Sequence, residues 1–335
     1  MSDASVPTNE TYPRAILEAI GDVSRPVRAL EPNEALDHIV GSSTRLDGIL
    51  SFGRLLFGGV DWARSVVRSY PPIFRMRFGA RPTVCVADPD DVLAIFRNED
   101  GAYSCAVGWR GNFDRIDHGR TRLTGPLFTD FDAHREVRKL LVPAFSGTAV
   151  AHYIDVAYPL FARTVDAWIA RREVDAKPEI RSMLAALSGR IFLGQERAED
   201  HATLDRLMRH VWLAPLALAK NETFDPMWRT ATRAYRELTR RLVALIEERR
   251  TAPTPDLLGR IASATEGIPN EVEDDVSRAS VVFNVLLGAF DTTACGLAST
   301  TYLVAKHPEW QEKMRAEAFA LGARPITLDE TRALE

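Results

Sequence analysis

Between Ser280 and Ala305 the chain reads Ser-Val-Val-Phe-Asn-Val-Leu-Leu-Gly-Ala-Phe-Asp-Thr-Thr-Ala-Cys-Gly-Leu-Ala-Ser-Thr-Thr-Tyr-Leu-Val-Ala. Apolar residues fall on nearly every helical face, a pattern that predicts a helix buried all round. At 1.5 Å per residue it would run about 39 Å, enough to cross a whole domain. Its apolar surface is interrupted by Gly288-Ala289-Phe290-Asp291-Thr292-Thr293, and a buried carboxylate is costly unless it is paired or used. A membrane span, a core helix with an internally satisfied polar island, and a central helix beside a cofactor all meet the length. Asp291 alone would cost roughly 2.5–3.5 kcal/mol at mid-bilayer, and Asn284, Thr292, Thr293 and Ser299–Thr301 add to that, which argues against the span. Asn284, Leu287, Gly288, Asp291 and Thr292 fall at i, i+3, i+4, i+7 and i+8, on one face, which favours the cofactor. The satisfied core helix stays open beside it.

The 335 residues suffice for a large core, and the net charge of −4 without basic runs gives no reason to expect nucleic acid. No basic, apolar leader opens the chain, and three irregularly spaced cysteines fit a reducing cytoplasm better than a disulfide framework. No zinc-type Cys/His cluster occurs. Residues 1–30 are polar and Pro-bearing and read as a loose arm, and 31–335 read as a single domain.

Helices are expected over Asn33–Val40 and Thr44–Ser69, then two strands, Ile73–Gly79 and Pro82–Ala87, around a Gly-Ala-Arg-Pro turn. Asp88-Pro89 is a helix start, with Asp as the cap and Pro in the first turn. Glu99–Asp130 reads as one long connection rich in Gly and aromatics, and connections of that length are often functional. His134 and Arg138 follow at i and i+4 on a helix that ends before Pro143. Met183–Leu193 reads as core. Leu204–Leu213 and Trp228–Ile246 read as helices, the second with the stripe Trp228, Ala231, Tyr235, Leu238, Leu242, Leu245. A Pro- and Gly-bearing linker, Thr251–Pro269, leads through an acidic turn into the long apolar helix. One more helix, Pro308–Gly322, follows it.

Gly288-Ala-Phe-Asp-Thr-Thr293, His134-x-x-x-Arg138 and Pro143-Ala-Phe-Ser146 stand in the order found in the haem-thiolate monooxygenases. The chain resembles the cytochrome P-450 family of the soluble bacterial type. That resemblance implies a fold that is mainly α with a small β-sheet, haem b as cofactor, and insertion of one oxygen atom of dioxygen into a small organic substrate. It implies that Asp291 and Thr292 handle protons and that His134 and Arg138 donate to a haem propionate. Gly288 and Ala289 would border the oxygen groove, with Ala289 where the family usually has a second Gly. Asn284 and Leu287 on the long helix, and Trp109 and Phe113 in the 99–130 connection, become candidates for the substrate pocket. The electron donor would be a ferredoxin or flavodoxin, for which Arg135 and Lys139 are candidate contacts. No membrane association is expected.

One part of the family pattern is not met. Its Glu-x-x-Arg helix and its Phe-x-x-Gly-x-x-x-Cys-x-Gly ligand loop have no counterpart here. Glu237/Arg240, Glu247/Arg250 and Glu312/Arg315 have a spacing routine for helical ion pairs. Cys85, Cys105 and Cys295 do not fit the ligand loop, so no metal ligand is assigned and the chain reads as truncated before it. A haem-free P-450-like helper that activates a partner enzyme such as a glycosyltransferase is the alternative. The missing Cys favours it and the retained Asp291-Thr292 and His134/Arg138 oppose it.

Overall fold

The computed structural model describes residues 38–42, 44–78, 81–99, 101–113, 116, 123–217, 220–264, 272–322 and 324–334. The expected arm at 1–30 and the first part of the Asn33–Val40 helix lie outside these. His38–Val40 are not helical. The chain divides into two compact units, Met1–Ser104 and Cys105–Glu335.

In the first unit, helix α1 (Arg45–Ser69) starts at Thr44, whose side chain accepts from the Asp47 amide. It breaks at Gly59 (φ 50°), a backbone state open to glycine at no steric cost. Strands β1 (Ile73–Phe78) and β2 (Arg81–Val86) pair antiparallel, with Phe74 opposite Cys85. Phe74 and Met76 alternate onto the buried face, and α1 packs against β1. Gly41 bridges to Arg75 at φ 145°, and a Cβ there would lie 1.9 Å from the Arg75 carbonyl oxygen. Helix α2 (Pro89–Arg97) begins as expected, Asp88 accepting from the amides of Asp90 and Asp91.

The second unit is helical. The 99–130 connection contains a helix that its glycines had concealed, α3 (Cys105–Phe113). Its N-terminus is capped from a distance: Asp130 Oδ1 accepts from the amides of Cys105 (2.9 Å) and Ala106 (3.1 Å). Then follow α4 (Phe131–Leu141), one 3-10 turn over Val142–Phe145 where Pro143 forbids the α-helical bond, and α5 (Gly147–Arg171). Helices α6 (Ala176–Leu193), α7 (Ala198–Val211), α8 (Pro226–Thr251) and α9 (Leu257–Ser263) come next; α9 lies inside the expected linker. The long helix is α10 (Asp275–Lys306), started by Asp274 on the Ser277 amide. Helices α11 (Pro308–Leu321) and α12 (Leu328–Ala333) complete the described chain.

The core forms where α6, α8 and α9 pack on α10. Trp228, Ala231, Tyr235, Leu238 and Leu242 of α8 are buried, as their spacing predicts. The next buried position is Ile246, with Leu245 turned partly out. Phe283 of α10 sits at the centre, its ring 5.1 Å from Tyr235, 6.1 Å from Phe113 and 6.5 Å from Phe128. Burial all round holds for α10 only in its first half. Ser277–Leu287 are buried apart from a partly exposed Val285, whereas Gly288, Thr292, Thr293 and Cys295–Leu297 are exposed. Farther on, Tyr302 and Leu303 are more than half exposed. The helices that bury α10 cover its N-terminal turns, and beyond them its neighbour is chiefly α11. By length and composition α10 is the one described helix that passes as a possible membrane span; its first half is core.

Candidate active site on the long helix

The stripe of α10 that carries the polar island passes through two environments. Its first part is a set of hydroxyl and amide side chains at Ser277, Ser280 and Asn284, spaced i, i+3 and i+7 on one face. The Ser280 and Asn284 side chains bind the backbone of residues 124–127, whereas Ser277 meets that segment through its backbone carbonyl and turns its own hydroxyl to Asp274. Ser280 Oγ accepts from the Thr124 amide (2.9 Å) and lies 3.0 Å from the Thr124 carbonyl oxygen. Thr124 Oγ1 donates to the Ser277 carbonyl (2.8 Å) and the Leu127 amide to Asn284 Oδ1 (3.4 Å). Gly125, at φ 119°, approaches so closely that a Cβ would lie 2.6 Å from the Asn284 Cβ. Asn284 Nδ2 is buried with no partner among the described residues.

Leu287 and Phe113 are within the hydrophobic core, and Trp109 packs against it half-buried. Of the four pocket candidates, Asn284, Leu287 and Phe113 are buried and Trp109 is half-buried. Gly288 is open, with nothing within 4 Å of an added Cβ, and Ala289 packs half-buried against the core. The exposed Thr292 donates its hydroxyl back to the Gly288 carbonyl at 2.5 Å.

Asp291 turns instead toward α6. Its carboxylate is ion-paired with Arg181, the side chains 17% and 13% exposed. Arg181 also faces Asp205 of α7 at 3.4 Å, and Asp205 meets Arg209 at 3.2 Å. The Arg181 guanidinium lies 5.0 Å from the centre of the Phe290 ring, a cation–π distance. A partly buried Asp calls for a partner, but the sequence offers no way to choose an arginine 110 residues away.

On α4, His134 and Arg138 occupy one face. His134 Nδ1 lies 3.0 Å from the Pro126 carbonyl oxygen. The ring thus sits against the same segment that α10 holds. Arg138 is exposed and makes no ion pair with a described residue, whereas Arg135 pairs with Asp132 and Lys139 with Glu136. Phe131 starts the helix at φ 49°, an uncommon state for an aromatic residue. Asp130 makes no side-chain cap bond on its own helix and reaches α3 instead. Of the cysteines, Cys85 lies half-buried on β2, while Cys105 and Cys295 are exposed on helices; desolvation raises the Cys85 thiol pKa, and for Cys105, exposed as a residue, desolvation at the sulfur and the nearby Asp130 carboxylate do the same.

The family profile for cytochrome P450 matches residues 60–335, across both units. The chain belongs to the cytochrome P450 family. Cytochrome P450 136 of Mycobacterium tuberculosis is 24% identical over 315 residues, covering 91% of this chain and 61% of that relative. Among solved structures, cyanobacterial CYP120A1 bound to retinoic acid superposes with a TM-score of 0.69 at 16% identity, over 83% of this chain and 62% of that one. The P450DA haem domain gives 0.66 at 19%, over 89% and 67%. These structural likenesses show the P450 fold, mainly α with a small sheet, and the chain spans about three fifths of the length of the P450 it matches in sequence.

Proposed function

We propose that this P450 chain contributes the distal wall and one haem-anchoring helix of a monooxygenase that inserts one oxygen atom of dioxygen into a small organic molecule. The observation that carries the reading is Arg138. Its guanidinium is exposed and unpaired among the described residues, one turn from a histidine whose Nε2 is also without a hydrogen bond there. A planar fork beside an imidazole suits a carboxylate, and the haem b propionate is the carboxylate the family supplies. The haem, when bound, supplies the redox chemistry that activates oxygen. No cysteine of this sequence stands in the family's ligand motif, so no residue here is assigned to the iron. Both units would form one haem domain, since the family match crosses the division between them. Electrons would come from a ferredoxin or flavodoxin, and a cytoplasmic setting accords with three free cysteines.

Arg138→Ala in the full-length protein is expected to weaken haem retention about tenfold, with Arg138→Lys between it and the parent because a point charge lacks the fork. Equal haem occupancy in all three after dialysis would remove the assignment.

Thr292 would hold a proton on Oγ1 beside the open strip at Gly288. The hydroxyl now spends that proton on the Gly288 carbonyl and must rotate to offer it elsewhere. Thr292→Val keeps the shape and removes the hydroxyl, so the fold should persist while product per electron consumed falls and hydrogen peroxide rises. An unchanged ratio of product to electrons would take Thr292 out of the proton path.

A further inference from the structure

We infer that His134 is locked as its Nδ1–H tautomer, so that it holds an acidic ligand only after taking up a proton. A carbonyl oxygen can only accept. The 3.0 Å contact between Nδ1 and the Pro126 carbonyl therefore places a hydrogen on Nδ1. A neutral imidazole has one N–H, which leaves Nε2 with a bare lone pair. An ionised carboxylate also only accepts, so the two cannot bond until Nε2 is protonated. His134 meets a carboxylate as the imidazolium or not at all.

The carbonyl is not free to move aside. Pro126 lies between Gly125, pressed against Asn284, and Leu127, whose amide donates to the same side chain. The Phe128 amide and the Thr129 hydroxyl both donate to the Gly125 carbonyl at 2.9 Å, closing the turn on itself. Ser277 and Ser280 bind Thr124 one step earlier. The polar face of α10 thus fixes the atom that sets the protonation pattern of an imidazole on α4.

Among the described residues, the charged groups of the elements that meet the ring are accounted for. Arg138 stands one turn on, Asp130 is engaged with α3, and Asp132 and Arg135 pair in solvent. Residues 123–129 carry no titratable side chain. On α10, Ser277, Ser280 and Asn284 are uncharged, and Arg278 is turned to the carbonyls of Ile261, Ala262 and Ala264. Each of these described groups is engaged elsewhere or carries no proton to give the ring.

The tautomer is independent of the haem reading, whereas the ligand step rests on it, and two measurements separate them. Long-range proton–nitrogen correlation spectra of the full chain labelled at its seven histidines, recorded at alkaline pH, read the tautomer, with His134→Gln assigning the signal. The expected pattern is a protonated Nδ1 and a bare Nε2. A protonated Nε2 overturns the inference. Haem affinity is then followed against pH by tryptophan quenching in the full-length protein. At alkaline pH, with His134 neutral, the dissociation constant for haem should rise about tenfold in all, toward that of His134→Phe, and stay level for the dimethyl ester. Haem affinity that ignores pH yet falls in His134→Phe overturns the proton step. Affinity indifferent to both pH and that substitution overturns the haem contact itself.

Discussion

Asp291→Ala is expected to lower the unfolding free energy of the chain by about 3 kcal/mol, read as a lower urea midpoint at constant slope. Removing one member of a buried ion pair leaves the other charge uncompensated, at a typical cost of about 3–5 kcal/mol. Arg181 keeps a second acidic neighbour in Asp205 at 3.4 Å, which places the loss at the low end. The pair is well screened from water, its side chains 13% and 17% exposed, so a surface-bridge value of about 0–1 kcal/mol does not apply. Adding Arg181→Met should recover much of the loss, because the methionine can fill the space over the Phe290 ring without a charge to satisfy. A single-variant loss under about 1 kcal/mol, or strict additivity of the two changes, would show that the pair is not a unit.

This pairing qualifies the proton role proposed for Asp291. A carboxylate bound to Arg181 is not free to carry protons from solvent, and it becomes so only when it swings away. If the stability test shows a strong pair, any relay through Asp291 must begin with that opening. The relay and the Thr292 hydroxyl would then be separable, since Thr292 bonds within its own helix and has no share in the Arg181 network. Asp291 variants should alter stability and proton supply together, while Thr292→Val alters only the second.

Much of the architecture was legible because it rests on local chemistry. Asp88-Pro89 capped its helix as read, the two strands paired within one residue of their expected ends, with Arg81 and Pro82 already in the second, and the α8 stripe is buried through Leu242. Pro143 ended α4 as its ring requires. What escaped depends on partners distant in sequence. Helix α3 was hidden by Gly108 and Gly111, and its start is secured by Asp130, 25 residues away. Uniform burial of α10 was inferred from composition, which cannot say where along a helix the neighbours stop. The site residues were found through the family motif rather than through their surroundings. Arg181 and Pro126, which set the charge partner of Asp291 and the tautomer of His134, belong to no motif. One signal was available: Ser277, Ser280 and Asn284 at i, i+3 and i+7 form a polar line on an otherwise apolar helix. Such a line predicts something polar bound along it. The partner of Ser280 and Asn284 is a stretch of backbone, which has no signature of its own, while the Ser277 hydroxyl serves the start of its own helix.

Phe283→Ala is expected to be the most damaging single truncation, at about 3–5 kcal/mol. The side chain is 1% exposed and joins three aromatic partners from separate segments, edge-on to Tyr235 and Phe113 and stacked on Phe128. Each such pair is worth about 0.5–1.5 kcal/mol beyond burial, so the site should fall toward the upper end. Phe283→Leu keeps most of the apolar volume and loses only the ring pairs, and should cost roughly half as much. Near-ultraviolet circular dichroism would report the loss of fixed aromatic packing around Tyr235 in both. The consequence reaches the site, because Phe128 lies two residues from Pro126. With the ring removed, the 124–129 segment keeps its bonds to Ser280 and Asn284 but loses the apolar support beneath them. The His134 nitrogen signals should then drift toward a mixture of tautomers in Phe283→Ala and remain resolved in Phe283→Leu. Equal destabilisation by Ala and Leu, with His134 unchanged in both, would mean that burial alone matters at Phe283 and that the polar face of α10 fixes Pro126 without help.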